Sequence, residues 1–150
     1  MYEQGQRAAD IGVADPAVVT ALAAYDRGIG PAVAVLAALA DSRLLVPVVA
    51  VLDEAEQGQD GMPVEKSSHM ATVSTTGRDG RRGLLAFTGV ESLRRWDPDA
   101  RPVPAPAPDI AAAALDDGAD AVVIDLAGPV AFAVEGSDLR ELAARWSGAG

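Results

Sequence analysis

Leu44-Leu45-Val46-Pro47-Val48-Val49-Ala50-Val51-Leu52 is almost continuously aliphatic and rich in β-branched side chains. A run of this kind reads as a strand buried on both faces. It is far too short to span a bilayer. Pro47 has no N–H to give to a ladder, so its nitrogen is expected at an unpaired edge or a bulge.

A second run of the same character, Ala121-Val122-Val123-Ile124-Asp125, comes later in the chain. Val49 and Val123 are therefore expected in the core, on central strands. Between the two runs, His69 to Thr76 alternates with a period of two. Gly83 to Thr88 is a further short strand, and Gly77-Arg78-Asp79-Gly80-Arg81-Arg82 supplies a turn, so the pair predicts a β-hairpin. Gly128-Pro129 turns the chain after Asp125 into an antiparallel return over Val130 to Val134. Arg101 to Pro108 alternates proline with small residues and reads as an extended or edge strand.

Helices fill the remainder. Asp15-Pro16 is a start signal, a capping carboxylate followed by proline at the first helical position. Val18, Leu22 and Tyr25 recur at helical spacing as far as Gly28 to Gly30. Pro31 opens a second helix, with Val35, Leu36 and Leu39 on its apolar side. Val90 to Trp96 forms a short third helix, stopped by Asp97-Pro98. Asp109 is expected to cap an alanine-rich helix ending at Gly118. The last helix runs from a Ser137 cap to Trp146, with Leu139, Leu142 and Trp146 on one stripe. The order α-α-β-β-β-α-(β)-α-β-β-α predicts a single α/β (α+β) domain, a mixed sheet of about five to six strands with helices packed on it. Residues 1–14 read as a flexible tail, 15–150 as the domain, and 53–65 as an acidic, Gly-rich surface loop.

Composition narrows the chemistry. The 150 residues contain no cysteine, so disulfides, thiolate metal sites and cysteine nucleophiles are excluded. The apolar fraction is 49%, much of it Ala and Val, which implies a core of small, closely packed side chains. The N-terminus lacks the apolar segment of a secretory signal, and a cytoplasmic location is expected. The net charge of −10 argues against nucleic acid or an anionic membrane as a partner. Charge is unevenly spread. Residues 66–101 carry seven basic side chains against four acidic ones, a net +3, which leaves −13 for the rest.

Three segments together resemble a known family. They are LLVPVVAVL; the stretch HMATVSTTG, a turn, then GLLAFTGVESLRRWDP; and RPVPAPAPDIAAAALDDGADAVVIDLAGPVAFAVEG. They are similar to the SseB family, named for an enhanced serine sensitivity phenotype, and within it to the stand-alone single-domain form found in actinobacteria. The likeness runs from about Ala32 to Trp146. Its more specific parts are AFT-x-x-E-S-L-x-x-W at Ala86 to Trp96 and the segment Gly118 to Pro129. Other branches often have Asn-Pro where this chain has Asp125-Leu126. The resemblance implies the fold; it carries over no reaction, cofactor or catalytic residue.

Candidate residues each have two readings. His69, the single histidine, is a general base beside Lys66, Ser67 or Ser68, or a plain strand-end residue. One histidine without cysteines is a poor start for a metal site, so no metal or cofactor is expected. Asp125 sits where a nucleotide hydrolase holds its metal-binding acid. The phosphate-binding loop of such enzymes is missing from the sequence, and a turn cap ahead of Gly128-Pro129 is the simpler role. Gly77, Gly80 and Gly83 with Arg78, Arg81 and Arg82 form an anion cradle or a solvated hairpin tip. Arg94, Arg95 and Trp96 extend the basic segment. Trp96 and Trp146 seal a core or a contact. Thr88 and Glu91, three residues apart, read as a capping box.

The sequence thus favours a non-enzymatic protein-binding or adaptor domain, with a protein partner or self-association. Its candidate binding residues are Arg78, Arg81, Arg82, Arg94, Arg95 and Trp96. The alternatives are a small-molecule or anion sensor using residues 66–101, and a small enzyme of unrecognised type near His69 and Glu91.

Overall fold

The computed structural model describes residues 12–52 and 68–146. The acidic 53–65 loop, most of the expected N-terminal tail and the last four residues lie outside that range. The elements are α1 (Pro16–Asp26), α2 (Ala32–Ala40), β1 (Arg43–Leu52), β2 (Ser68–Thr72), β3 (Ser74–Thr76), β4 (Arg82–Ala86), α3 (Val90–Trp96), β5 (Arg101–Pro106), α4 (Ala107–Asp116), β6 (Ala121–Ile124), β7 (Phe132–Glu135) and α5 (Gly136–Ala143). The mixed α/β class and the element order are as expected. The strands are more numerous and form two sheets, β2-β1-β5 and β3-β4-β6-β7. All neighbours are antiparallel except β4 and β6, which are parallel.

The expected His69–Thr76 strand divides at Val73. Its first half pairs with β1 and its second with β4, so one stretch of chain edges both sheets. A single bridge joins the sheets elsewhere. Leu45 exchanges both backbone hydrogen bonds with Phe87, each at 2.8 Å. Backbone groups of alternate residues point to the same side of a strand. Pro47 therefore faces the same side as Leu45, in the gap between the Phe87 bridge and the ladder with β2 that begins at Val48. The residue without a donor stands where the strand passes from one neighbour to the next.

Strand alternation divides the core. Leu44 and Val46, Leu84 and Ala86, Val122 and Ile124, and Phe132 and Val134 point to one side. There they meet Val18 and Leu22 of α1, Val35 and Leu39 of α2, Ile110, Ala111 and Ala114 of α4, and Leu139 and Leu142 of α5. Each fully buried Leu or Ile contributes about 1.5–3 kcal/mol. The alanines of α4 leave room for that helix to approach the sheet closely. Leu45, Leu85 and Phe87 point the other way, into a smaller cluster with Leu93 and Ala100. Trp96 closes this cluster, its ring tilted against Phe87 at 5.6 Å between centroids.

Several local expectations change. Val49 and Val123 occupy interior strands but are only half-buried, at the margin of the smaller cluster. The alanine helix begins at Ala107 after Pro106, which puts Asp109 in its first turn and not at its cap. The last helix begins at Gly136, one residue ahead of Ser137, and ends at Ala143. Trp146 lies beyond it and is 44% exposed, so it does not share the buried stripe of Leu139 and Leu142. Asp15 does cap α1: it accepts from Ala17 N–H at 2.9 Å, and the Ser42 hydroxyl donates to its other oxygen at 2.7 Å.

Gly83 on β4 packs against Val123 on β6: a Cβ at Gly83 would stand 2.6 Å from Val123 Cγ2. Gly83→Ala is expected to destabilise the fold by about 1–3 kcal/mol through overpacking. Val123→Ala should relieve part of that cost, so the double variant loses less than the two singles together, by about 0.5 kcal/mol or more. Urea unfolding of the four proteins measures the coupling; strictly additive losses would refute it.

Candidate functional site

The carboxyl ends of neighbouring parallel strands are the usual place for a site in an α/β protein. Here those ends are Phe87-Thr88-Gly89 after β4 and Asp125 after β6. Asp125 is 2% exposed and adopts a left-handed backbone with φ 54°. Asp and Asn tolerate that region better than other non-glycine residues. Its own N–H donates to Ala86 C=O at 3.0 Å, which continues the parallel ladder by one bond.

The Asp125 carboxylate faces Thr88. It accepts from Thr88 N–H at 2.8 Å and from the Thr88 hydroxyl at 2.7 Å. Ser92 Oγ lies 3.5 Å from the same hydroxyl oxygen. Burial pushes the Asp125 carboxyl above its ordinary value. The Thr88 and Ser92 hydrogen bonds and the positive charge of Arg95 pull in the other direction without cancelling the effect. Arg95 Nη1 lies 4.0 Å from where a Cβ on Gly128 would stand, so the guanidinium flanks the turn that follows Asp125. That turn has a cis Gly128-Pro129 bond and is closed by Gly128 N–H donating to Asp125 C=O at 2.8 Å.

The chemistry of this cluster is that of a fastener. Both oxygens of the carboxylate are engaged with Thr88, joining two strand ends that are distant in sequence. The capping box expected from Thr88 and Glu91 gives way to this. With Thr88 turned to Asp125, Gly89 stands as the N-cap of α3. Ser92, three residues on, donates to Gly89 C=O at 3.0 Å and receives Gly89 N–H at 3.4 Å, while Glu91 is exposed. The available sequence signal was an acid placed directly after four aliphatic residues, which calls for a specific partner in the fold.

The structure does not gather the six candidate residues. Arg78 is exposed on the β3–β4 turn. Arg81 pairs with Glu135 at 2.8 Å and Arg82 with Asp117 at 2.8 Å. Arg94 and Arg95 are exposed on α3, at the opposite end of β4, which spans about 13 Å at the usual strand rise. Trp96 is half-buried against Phe87. The anion cradle at the hairpin is likewise not assembled, since two of its three arginines already hold carboxylates. His69 is opposite Val51 in the β1–β2 register; its side chain lies outside the described part. Among the described residues there is no group of three or more His, Asp or Glu placed to hold a metal ion. No described helix is long and apolar enough to cross a membrane.

The sheet edges differ in kind. Since Leu45 turns its backbone groups towards Phe87, it is Leu44, Val46 and Val48 that face β5, opposite Ala105, Val103 and Arg101. Pro102, Pro104 and Pro106 therefore direct their nitrogens outward, and β5 has no N–H to offer along its outer edge. The edge strand β7 is four residues long and is followed at once by α5. The β2–β3 edge is longer. Val73 C=O accepts from Leu85 N–H at 2.9 Å and Gly77 N–H donates to Arg81 C=O at 2.8 Å, so Val73, Thr75 and Gly77 face inward. Thr72, Ser74 and Thr76 turn their backbone groups out, and all three residues are exposed. The whole stretch, Ser-His-Met-Ala-Thr-Val-Ser-Thr-Thr from Ser68 to Thr76, contains no Asp, Glu, Lys, Arg or Pro.

Comparison with protein families matches residues 18–141 to the SseB protein N-terminal domain. The chain belongs to the SseB family. The matched SseB region runs from the first helix to the last and includes Thr88, Asp125 and the β2–β3 edge. No curated protein and no solved structure matches the chain.

For this SseB-type domain, Asp125→Ala is expected to cost about 2–4 kcal/mol. It strands the buried Thr88 donors and places alanine in a left-handed conformation. Asp125→Asn keeps an acceptor and suits the backbone, and should stay within about 1 kcal/mol of wild type. Because the folded pKa is raised, the Asp125 contribution is fullest below the ordinary carboxyl value, about 3.9, and is lost as pH rises through the folded value. Relative to Asp125→Asn, wild type should therefore lose stability on going from acid towards neutral pH. Urea unfolding of both proteins along a pH series measures this; a constant difference would show that burial does not govern the carboxyl.

Proposed function

We propose that this SseB domain is a protein-binding module, and that its binding element is the open β2–β3 edge. The observation that supports this is the contrast between edges within one molecule. Unpaired strand edges invite pairing with other chains, and proteins ordinarily blunt them with proline, charge or short length. Here β5 is blunted by three prolines and β7 by its shortness. Among the described residues the stretch from Ser68 to Thr76 carries no such protection, and it is rich in Thr and Ser. Such an edge suits addition of an extended strand, in which main-chain hydrogen bonds provide affinity. The −10 charge of the chain keeps non-specific association down elsewhere, while this strand meets a partner without charge repulsion.

The test compares wild type with Ser74→Pro. Proline at an outward-facing edge position removes a donor that the fold does not use, so stability should stay within about 0.5 kcal/mol. Affinity capture from the native lysate, quantified by mass spectrometry, should recover proteins with wild type that Ser74→Pro loses. Identical recoveries from both would overturn the reading.

A further inference from the structure

The geometry points to a second copy of the chain as the occupant of the β2–β3 edge, paired antiparallel about a two-fold axis at Ser74. This rests on the reading of the edge as a binding element, and adds the identity of the partner. A two-fold contact must be self-complementary, because where residue i of one copy meets residue j of the other, j also meets i. With the axis at Ser74, Thr72 of one copy lies opposite Thr76 of the other, Val73 opposite Thr75, and Ser74 opposite itself. Thr72, Ser74 and Thr76 are exposed and on one face. Their counterparts are again Thr76, Ser74 and Thr72, so on this exposed face hydroxyl meets hydroxyl. Thr–Thr and Thr–Ser pairs of this kind stabilise antiparallel strands. No formal charge faces its own image, because Asp, Glu, Lys and Arg do not occur between Ser68 and Thr76.

The backbone parity agrees with the side-chain match. Ser74 turns both N–H and C=O outward, so the axial pair is a hydrogen-bonded one, with Cα atoms about 5.5 Å apart. The two copies of β2–β3 become neighbours inside one continuous sheet. The prolines of β5 close the far edge of β1's sheet and β7 offers only four residues, so among the described strands β2–β3 is the longest edge open to a second copy.

The separation at the axis supplies the test. Cα atoms about 5.5 Å apart lie inside the range that a disulfide bridges, about 4.4–6.8 Å. The chain has no cysteine, so Ser74→Cys introduces a unique thiol. Under mild oxidation Ser74→Cys should form a covalent dimer several-fold faster than Val103→Cys, placed at an exposed position on the proline-rich β5. In sedimentation equilibrium, wild type should move from 15.3 kDa towards twice that mass with rising concentration. Ser74→Pro should stay at the lower mass with an unchanged melting temperature at high dilution. The inference is overturned if wild type is monomeric at every concentration and the two cysteine variants oxidise at equal rates. It is also overturned if Ser74→Pro dimerises like wild type. A monomeric wild type that still captures lysate proteins in a Ser74-dependent way would leave the protein-binding reading standing while removing the second copy as occupant.

Discussion

Three successive positions, Phe87, Thr88 and Gly89, each fasten a different part of the chain. Phe87 exchanges hydrogen bonds with Leu45 and links the two sheets. Thr88 gives both its donors to Asp125 and ties β4 to β6. Gly89 packs tightly on the chain ahead of α1: a Cβ there would stand 3.0 Å from Ala14 N, and the next residue, Val90, donates to Gly12 C=O at 2.9 Å. The chain ahead of α1 is thereby fixed to the start of α3. Parallel pairing of β4 with β6 forces the intervening chain to leave the sheet and return. On the way it builds α3, adds β5 to the other sheet and packs α4 on the core. One crossover therefore sews both sheets together, and the buried Asp125 carboxylate locks its two ends.

The fold was legible to the extent that hydrophobic period and turn chemistry express it. Asp15-Pro16, the two aliphatic runs and the glycine-rich hairpin turn each gave their element, because each is a local signal. The alternation of proline in Arg101 to Pro108 indicated an edge strand, which ends at Pro106, for a sound reason: only at an edge can a missing N–H on alternate residues cost nothing. What stayed hidden depends on distant partners. Thr88 and Glu91 have the spacing of a capping box, and local chemistry alone would use it. The buried Asp125 carboxyl takes both the N–H and the hydroxyl of Thr88, and so turns that side chain away from the helix end. Likewise Val49 and Val123 stand on interior strands, but the smaller cluster is covered mainly by the short α3, too little to bury them fully.

The basic middle segment illustrates a different limit. Counted along the chain, its arginines look like a patch. In space Arg81 and Arg82 reach carboxylates on β7 and at the end of α4, while Arg94 and Arg95 lie at the other end of β4. Exposed ion pairs of this kind contribute about 0–1 kcal/mol each. Their use is in orientation: they hold the hairpin tip against β7 and α4. A charge tally by sequence window cannot anticipate this, because the acids that answer these arginines come from residues 117 and 135.

The prolines of β5 also bear on how large an assembly can grow. A sheet open on both sides is divalent, and each added molecule presents a fresh edge to the next, the arithmetic of a fibre. Contacts that repeat without closing have that outcome, whereas a two-fold contact uses up the surface it is made from. With Pro102, Pro104 and Pro106 removing every outward N–H from one side of the domain, β-pairing through that side is terminated in the covalent structure itself. The molecule is left nearly monovalent towards other strands, so it can keep an unprotected, β-prone segment on its surface without polymerising through it.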